Sequence, residues 1–426
     1  MKRYKVTGLP VAQYEGVQLY RKVCRYTKYL QSEEARLMNR NKNMLNVLMV
    51  TARYFPDIGG IEMHVHEVGR RLASNGINIT LLTTMPHALS TPLPKEMVVE
   101  GMRVIRVRSW PSERDYHIAP EMYPIIKHGK WDLVHCQGYH TFVPPIAMLA
   151  AKKAEIPYVV TFHSGGDSSR FRKAVRGPQR MALRPLLAGA ERLIGPSQWE
   201  VEFFREQLHL PKTQFAVIPN GAQHLPDLSV SARGTKDGKL IVSVGRLERY
   251  KGHQRVIAAM PKVLELVPDA QLRIVGKGPY ESVLQKMARA LGVAERVEIR
   301  AVPPGDSDGM ASIIAGADLV TLLSEHEAQG IAILEALALR RPVLVASTTA
   351  LQEFADRGLA RAVSLRSNPD EVATAMVRQI REPLVPVNVE LPTWDDCAAD
   401  LLALYQSVAG KRFSCVNILT AQSVSG

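Results

Sequence analysis

Short apolar runs alternate with amphipathic stretches along most of this chain. From residue 46 onward, brief runs rich in Val, Ile and Leu are separated by segments of about 10–16 residues whose apolar positions recur with helical spacing. This alternation is typical of βαβ units, in which helices connect the parallel strands of a sheet. It predicts an α/β protein with two Rossmann-like domains in tandem.

The predicted elements fall into two similar halves. In the first half we predict strands at 46–54, 78–84, 103–108, 133–137, 157–163, 192–196 and 215–219, with helices at 61–75, 141–153, 179–189 and 198–208. In the second half we predict strands at 240–246, 271–276, 297–301, 319–323 and 342–347, with helices at 253–267, 280–291, 308–316 and 330–340. We expect a last amphipathic helix, at 394–408, to pack against another part of the protein.

Changes in composition indicate the domain boundaries. Basic sequence without periodicity precedes residue 44, and a polar, glycine-containing stretch separates the two halves. We predict a flexible extension at 1–43, an N-terminal Rossmann-like domain at 44–228, a linker at 229–239, a C-terminal Rossmann-like domain at 240–392, a terminal crossing helix at 393–410 and a tail at 411–426.

Much of the positive charge lies in the predicted extension. The chain has a formal net charge of +13, and residues 1–43 contain ten Lys or Arg and three Glu, a net charge of +7. The other 383 residues therefore carry only +6. This distribution does not favour nucleic acid as a partner.

The sequence predicts a cytoplasmic protein. It has no apolar stretch typical of a secretory signal or a membrane-spanning helix, and its four cysteines are scattered without metal-ligand spacing. Residues 170–184 contain six Lys or Arg and no acidic residue. This stretch indicates either a solvated basic loop or a surface that meets anionic lipid, so we also consider peripheral membrane association.

The richest chemical signal follows the predicted strand at 319–323. Glu327 lies in the loop, and Gly330 and Ile331 begin a helix whose free N–H groups can bind an anion. Glu335 lies further along the helix, where its carboxylate can accept two hydrogen bonds from a diol such as a ribose. The same residues could also be ordinary surface acids beside a strand–helix turn.

Two other loops supply complementary groups. Arg246 and Lys251 follow the first strand of the second half, and such a pair of cations suits the oxygens of a diphosphate. Gly59 and Gly60 follow the first strand of the first half, where a ligand can approach the backbone closely. We interpret Asp306-Ser307-Asp308 as a helix N-cap and not as a metal-binding pair, and we predict no metal site.

These motifs together resemble the retaining family 4 glycosyltransferases, which have the GT-B fold. The resemblance implies two Rossmann-like domains facing across a cleft, with the C-terminal helix packing back on the N-terminal domain. The resemblance covers about residues 45–410 and includes Gly59-Gly60, Thr161-Phe162-His163, Val217-Ile218-Pro219-Asn220-Gly221, Gly245-Arg246, Lys251-Gly252, Gly276-Lys277-Gly278-Pro279 and the pair Glu327 and Glu335. It implies that the first domain binds an acceptor and the second a nucleotide sugar, either a UDP-sugar or a GDP-sugar, with no other cofactor.

The resemblance also implies roles for individual residues. Arg246 and Lys251 would hold the donor diphosphate and stabilise the leaving charge. Glu327 would bind the transferred sugar, and His163 would line the reaction centre. The remaining donor contacts would come from Gly59, Gly60, Val302, Gly330, Ile331 and Glu335.

The resemblance further implies a metal-independent hexosyl- or N-acetylhexosaminyl-type transferase that retains configuration by same-face attack. Its acceptor would be a lipid, a saccharide or a small molecule, and we assign Tyr139 and His140 as acceptor contacts because they follow a strand end. At Ala328-Gln329 the chain departs from the family pattern, which predicts a different sugar pocket. The alternatives are a sugar-nucleotide epimerase with the same two domains and a non-catalytic sugar-nucleotide-binding protein.

Overall fold

The structure is a computed structural model that describes residues 44–57, 59–86, 93–111, 117–164, 170–222, 238–303, 306–387 and 389–410, with only the backbone described at 170–173. The predicted extension at 1–43, most of the linker at 229–239 and the tail at 411–426 lie outside these residues.

Two sheets organise the described chain. The first has the strand order β3-β4-β2-β1-β5-β6-β7-β8 and consists of β1 (Asn46–Val50), β2 (Asn78–Thr84), β3 (Glu96–Val99), β4 (Met102–Val107), β5 (Leu133–Gln137), β6 (Tyr158–Thr161), β7 (Arg192–Gly195) and β8 (Phe215–Val217). All its neighbouring strands are parallel except the antiparallel pair β3 and β4. The central strand β1 is a continuous buried apolar run from Val47 to Val50, as expected where helices cover both faces of a sheet.

The second sheet is parallel throughout. Its order is β11-β10-β9-β12-β13-β14, formed by β9 (Leu240–Val244), β10 (Gln271–Val275), β11 (Val297–Arg300), β12 (Leu319–Leu322), β13 (Val343–Ala346) and β14 (Arg361–Val363). The predicted α/β architecture of two parallel-sheet domains is therefore confirmed.

Twelve α-helices connect and cover the sheets in the described chain. In the first half they are α1 (Gly60–Ser74), α2 (Met122–His128), α3 (Val143–Lys153), α4 (Arg170–Leu187) and α5 (Gln198–Leu208). In the second half they are α6 (His253–Leu266), α7 (Glu281–Ala290), α8 (Ser307–Ala315), α9 (Ile331–Ala338), α10 (Thr349–Asp356), α11 (Pro369–Arg381) and α12 (Trp394–Ala409). None of these described helices is long and apolar enough to cross a membrane.

Several elements differ from the sequence prediction. The structure adds β3, α2, α10, β14 and α11, and α4 begins at Arg170 because the helix continues through Pro178. Most of the added elements are short, so their periodicity is weak. The longer α11 has a readable signal, since Asn368 and Glu371 form a capping box at its start.

The last helix returns to the first domain, as predicted. Trp394, Leu401 and Tyr405 are buried in the same apolar cluster as residues of β1 and α1. Thr393 and Asp396 form a capping box that starts this helix, and Tyr405 Oη lies 2.5 Å from His135 Nδ1 in β5. The first domain thus completes its core with residues from the far end of the chain.

We predict that Leu401→Ala destabilises the protein. The side chain is fully buried between α12 and the first sheet, and truncation of such a leucine costs about 2–5 kcal/mol. Urea denaturation should show a lower midpoint than in the wild type. Ser407→Ala, at an exposed position of the same helix, should leave the midpoint nearly unchanged, and an unchanged midpoint for Leu401→Ala would contradict the assigned packing.

Candidate active site

The candidate residues lie at the topological switch point of each sheet, where the order of the strands along the sheet reverses direction. In the first sheet this point lies between β1 and β5, and in the second between β9 and β12. Open parallel sheets bind ligands beyond the carboxyl ends of strands at such switch points. Gly60 and His140 follow the first pair of strands, and Lys251 and Glu327 follow the second, so the topology alone selects these loops.

A buried histidine and a glycine shape the loop after β9. His253 Nδ1 lies 2.8 Å from Ser243 Oγ, and its Nε2 lies 3.3 Å from the carbonyl oxygen of Arg246. Gly252 has φ 80°, and a Cβ there would lie 1.9 Å from the carbonyl oxygen of Leu323. Only glycine fits this close approach. Burial lowers the pKa of His253 to about 4, so its imidazole is neutral at physiological pH.

An ion pair connects this loop to the loop after β12. Lys251 Nζ lies 2.7 Å from Glu327 Oε1, and Ser324 Oγ donates to the same oxygen at 2.7 Å. The backbone N–H of Glu327 donates to Thr349 Oγ1 at 3.0 Å. The hydroxyl-rich loop after β13 therefore supports Glu327, a contact that the sequence analysis did not predict.

The ion pair keeps Lys251 charged although the pair is largely buried. Burial by itself lowers the pKa of the Lys251 ammonium, but the carboxylate of Glu327 outweighs that effect and the pKa rises above its ordinary value. A permanent cation thus lies at the carboxyl end of β9.

Two helix N-termini meet across the cleft. Gly330 has φ 93° and caps α9, while Gly60 is the first residue of α1. A Cβ at Gly60 would lie 3.9 Å from Ile331 Cδ1. The first N–H groups of a helix have no acceptor within it and carry partial positive charge. The site therefore combines two positive helix ends with the Lys251 ammonium.

Glu335 lies one turn into α9 without a charged neighbour. Burial raises the pKa of its carboxyl to about 7. Among the described residues no hydrogen-bond donor reaches its side chain. Such a carboxyl is well suited to accept hydrogen bonds from a ligand.

Arg246 is half-exposed beside the ion pair, and the carboxyl of Glu62, which the sequence analysis did not identify, interacts with it across the cleft. Arg246 Nη2 lies 3.8 Å from Glu248 Oε1. Burial raises the pKa of Glu62 in α1, while Arg53 and Arg246 oppose this effect. The sequence analysis gave Glu62 no role. Its position in the first turn of α1 was the signal that could have identified it.

Val302 lies beyond the end of β11. It is half-buried and its side chain packs on the apolar cluster of the second domain. The predicted donor contact of Val302 is therefore assigned to its backbone and stays a prediction.

His163 lies two residues after β6, on the other side of the cleft, and its ring contacts buried polar side chains. Its Nε2 lies 2.8 Å from Gln137 Oε1, and its ring lies 4.9 Å from the ring of His64. Because a carbonyl oxygen accepts, Nε2 carries the proton and Nδ1 is left as an acceptor. Burial, reinforced by His64 and His135, holds the pKa of His163 well below its ordinary value.

A buried carboxyl fixes the segment that follows His163. The backbone N–H of Ser164 donates to Glu200 Oε1 at 2.7 Å, and burial raises the pKa of Glu200 to about 8. Ser164 Oγ lies 2.9 Å from His326 Nε2 in the second domain. His163 and Glu327 are therefore each the chain neighbour of a residue in this inter-domain contact, which brings the two candidate residues together.

Gln329 contacts the first domain. Its side chain is buried and pairs with the first domain, because Asn220 N donates to Gln329 Oε1 at 2.8 Å and Gln329 Nε2 donates to the carbonyl of Asn220 at 3.4 Å. Asn220 Oδ1 in turn lies 2.7 Å from His64 Nδ1. The departure at Ala328-Gln329 thus serves the domain junction through Gln329.

The assignment of Tyr139 as an acceptor contact is wrong for its side chain. Tyr139 is only 1% exposed, and its ring packs edge-on against Phe162 and Phe204 in the core. The sequence pattern after β5 did not show which of Tyr139 and His140 points into the core. In the structure His140 is half-buried beside the cleft. The assignment of His140 as an acceptor contact stays a prediction.

Asp306 is the N-cap of α8, as predicted. Its Oδ1 accepts from the backbone N–H of Gly309 at 2.8 Å. In the described part of the chain no three His, Cys, Asp or Glu residues are grouped as ligands of a metal ion.

Comparison with known proteins adds the family. The family described as Glycosyltransferase Family 4 matches residues 58–224, and the family described as Glycosyl transferases group 1 matches residues 229–388. The D-inositol 3-phosphate glycosyltransferase of Nocardiopsis dassonvillei is 26% identical, and the match covers 84% of this chain and 91% of that protein. The phosphatidyl-myo-inositol mannosyltransferase of Mycobacterium tuberculosis is also 26% identical, with 86% and 98% covered.

Solved structures give the same fold. Anabaena HepE, solved in complex with UDP and glucose, matches with a TM-score of 0.63 at 17% identity and covers 85% of this chain and 95% of that one. The two family matches lie in tandem and follow the two sheets described above. The chain therefore belongs to the family 4 glycosyltransferases and has the GT-B fold.

Proposed function

We propose that this glycosyltransferase moves a hexosyl or N-acetylhexosaminyl group from a UDP-sugar or GDP-sugar with retention of configuration. The observation that carries the proposal is the positive site between the domains, where two helix N-termini converge beside the Lys251–Glu327 ion pair. A diphosphate is the anion that suits this combination of backbone N–H groups and cations.

The donor contacts are proposed from position and chemistry. Lys251 and Arg246 bind the diphosphate, and the backbone at Gly60, Gly330 and Ile331 supplies further N–H donors. Glu327 accepts hydrogen bonds from the transferred sugar while it holds Lys251. Glu335 accepts from the ribose hydroxyls, and the backbone at Val302 contacts the base.

The reaction is proposed as a same-face displacement. The acceptor oxygen bonds to the anomeric carbon, the bond to the donor phosphate breaks, and the acceptor proton passes to a phosphate oxygen. Lys251 and Arg246 stabilise the negative charge that develops on the leaving diphosphate, which is the largest demand of this step. With these cations in place we propose that the enzyme needs no metal ion.

His163 acts in this proposal as a neutral imidazole. Its low pKa keeps the ring uncharged, and Gln137 holds the proton on Nε2. The Nδ1 lone pair can then accept a hydrogen bond from a sugar or acceptor hydroxyl. A neutral ring also adds no positive charge that would repel a developing oxocarbenium ion.

The acceptor is proposed to bind at the carboxyl ends of the strands of the first domain, beside His140. Both relatives are named for an inositol with a phosphate ester. We therefore propose an acceptor of this chemistry, free or lipid-borne, ahead of a plain saccharide. An epimerase would need no acceptor, and release of nucleoside diphosphate only when an acceptor is present would distinguish the two activities.

We predict that Lys251→Ala lowers kcat/KM by about 100-fold or more, because it removes the cation that stabilises the leaving diphosphate. It also leaves Glu327 buried without its partner. Donor turnover should be measured with EDTA present, and donor affinity by calorimetry. Lys262→Ala, on the exposed side of α6, is the matched control and should behave as the wild type. Equal turnover in the two variants would contradict the proposed role.

We predict that Glu335→Gln stabilises the protein at pH 8 and weakens donor binding. The folded protein holds a proton on Glu335 up to about pH 7, whereas the unfolded chain releases it near 4.5. The wild type therefore loses stability as pH rises between these values, and the glutamine does not. The difference in thermal midpoint should vanish near pH 4. Donor affinity should fall about tenfold, and unchanged affinity would exclude Glu335 from the donor site.

We predict that Gln137→Leu lowers kcat about tenfold with little change in donor affinity. The leucine removes the acceptor at His163 Nε2 and frees the ring to change tautomer. Single-turnover kinetics and calorimetry of donor binding would separate the two effects. A parallel loss of donor affinity would indicate damage to the fold and not a change at His163.

A further inference from the structure

The solvent face of α4 is apolar. All exposed positions between residues 174 and 185 are uncharged and carry no polar side chain: Ala174, Val175, Pro178, Met181, Ala182 and Pro185. They recur with helical spacing and so lie on one side of the helix. Met181 is 59% exposed. A helix on the surface of a protein in water usually shows the opposite pattern.

The neighbouring helix α3 extends this surface. Phe142, at its N-terminus, is 49% exposed and Leu149 is 42% exposed. Lys153 follows four positions later, so the three side chains lie in one line along the helix. Both α3 and α4 connect adjacent parallel strands in the same direction across the sheet, and right-handed crossovers place them on the same sheet face.

Positive charge borders the apolar side chains. Arg176, Arg180 and Arg184 are half-buried along the edge of α4 that faces α5, where Arg180 Nη2 donates to Gln207 Oε1 and Arg184 Nε donates to the carbonyl of Leu208. Lys152 and Lys153 are exposed at the end of α3. Neither helix contains an Asp or a Glu. The surface is thus apolar at its centre and basic at its margin.

This surface adjoins the acceptor side of the cleft. α3 and α4 begin just after the loops that contain His140 and His163, at the carboxyl ends of β5 and β6. Gln179 of α4 donates to the carbonyl of His140 at 3.2 Å. A partner bound to this surface would therefore lie next to the opening where an acceptor enters.

We propose that the exposed face of α3 and α4 docks on an anionic lipid bilayer. Apolar side chains insert at the level of the headgroups, while the surrounding lysines and arginines contact lipid phosphates. Charge complementarity selects this occupant. The extension at 1–43 carries a net charge of +7 and a second copy presents the same basic margin, so both would be repelled.

Vesicle sedimentation of the full chain tests the docking. Binding should increase when phosphatidylglycerol replaces part of the phosphatidylcholine, and it should weaken at high salt. Met181→Glu should lower vesicle affinity about tenfold, because a carboxylate replaces the most exposed inserting side chain. Val283→Glu, at an exposed apolar position of α7 in the second domain, is the matched control and should bind as the wild type.

A second variant tests the charged margin without placing a carboxylate on the apolar face. The double change Lys152→Ala with Lys153→Ala removes two exposed charges and should lower affinity about fivefold or more on anionic vesicles only. Equal affinity of Met181→Glu and the wild type, or binding that ignores lipid charge, would overturn the proposal. The proposal would also be overturned if the wild type bound no vesicle and its oligomer became smaller on Met181→Glu. A second copy of the chain would then be the occupant of this surface. Donor binding, measured in parallel, should be unchanged in every variant, so failure of docking is distinguishable from failure of the proposed transfer.

Discussion

The ion pair between Lys251 and Glu327 is the interaction on which the site depends. It joins the loops that follow the two central strands of the second sheet, and both loops are further tied by Ser324 and Thr349. The pair is largely buried, so removal of either partner would leave an uncompensated charge. The pair also keeps the Lys251 ammonium charged, on the same side of the cleft as the helix N-terminus at Gly330. The positive charge is therefore in place before any ligand binds, which is what electrostatic stabilisation of the proposed leaving diphosphate requires.

Several groups at the site cost stability. Burial raises the pKa values of Glu335 and Glu200 to about 7 and about 8, so each favours a protonated folded state. His64 has a buried Nε2 with no hydrogen-bond partner in the described structure, and its pKa falls to about 4. Groups of this kind are expected where a protein retains chemistry at the expense of packing. They lie in one region, between the carboxyl ends of the two sheets.

The two domains are connected through the site as well as through the chain. Gln329 pairs with the backbone of Asn220, and Ser164 contacts His326. From His163 a polar chain continues through Gln137 and His135 to Tyr405 of α12. The C-terminal helix thus supports His163 from the side of the first sheet's core. The position of His163 therefore depends on residues from three distant parts of the sequence.

The sequence by itself determined the two α/β domains and the loops that bear the candidate residues. Hydrophobic periodicity and the positions of glycines are local properties, so they can be read directly from the sequence. Only the tertiary structure decided that Tyr139 is core, that Gln329 faces the other domain and that Glu62 and Gln137 lie at the site. It also showed that α4 continues through Pro178 with an apolar face to solvent. These outcomes depend on which side chains meet across strands and domains, and sequence spacing does not encode that proximity.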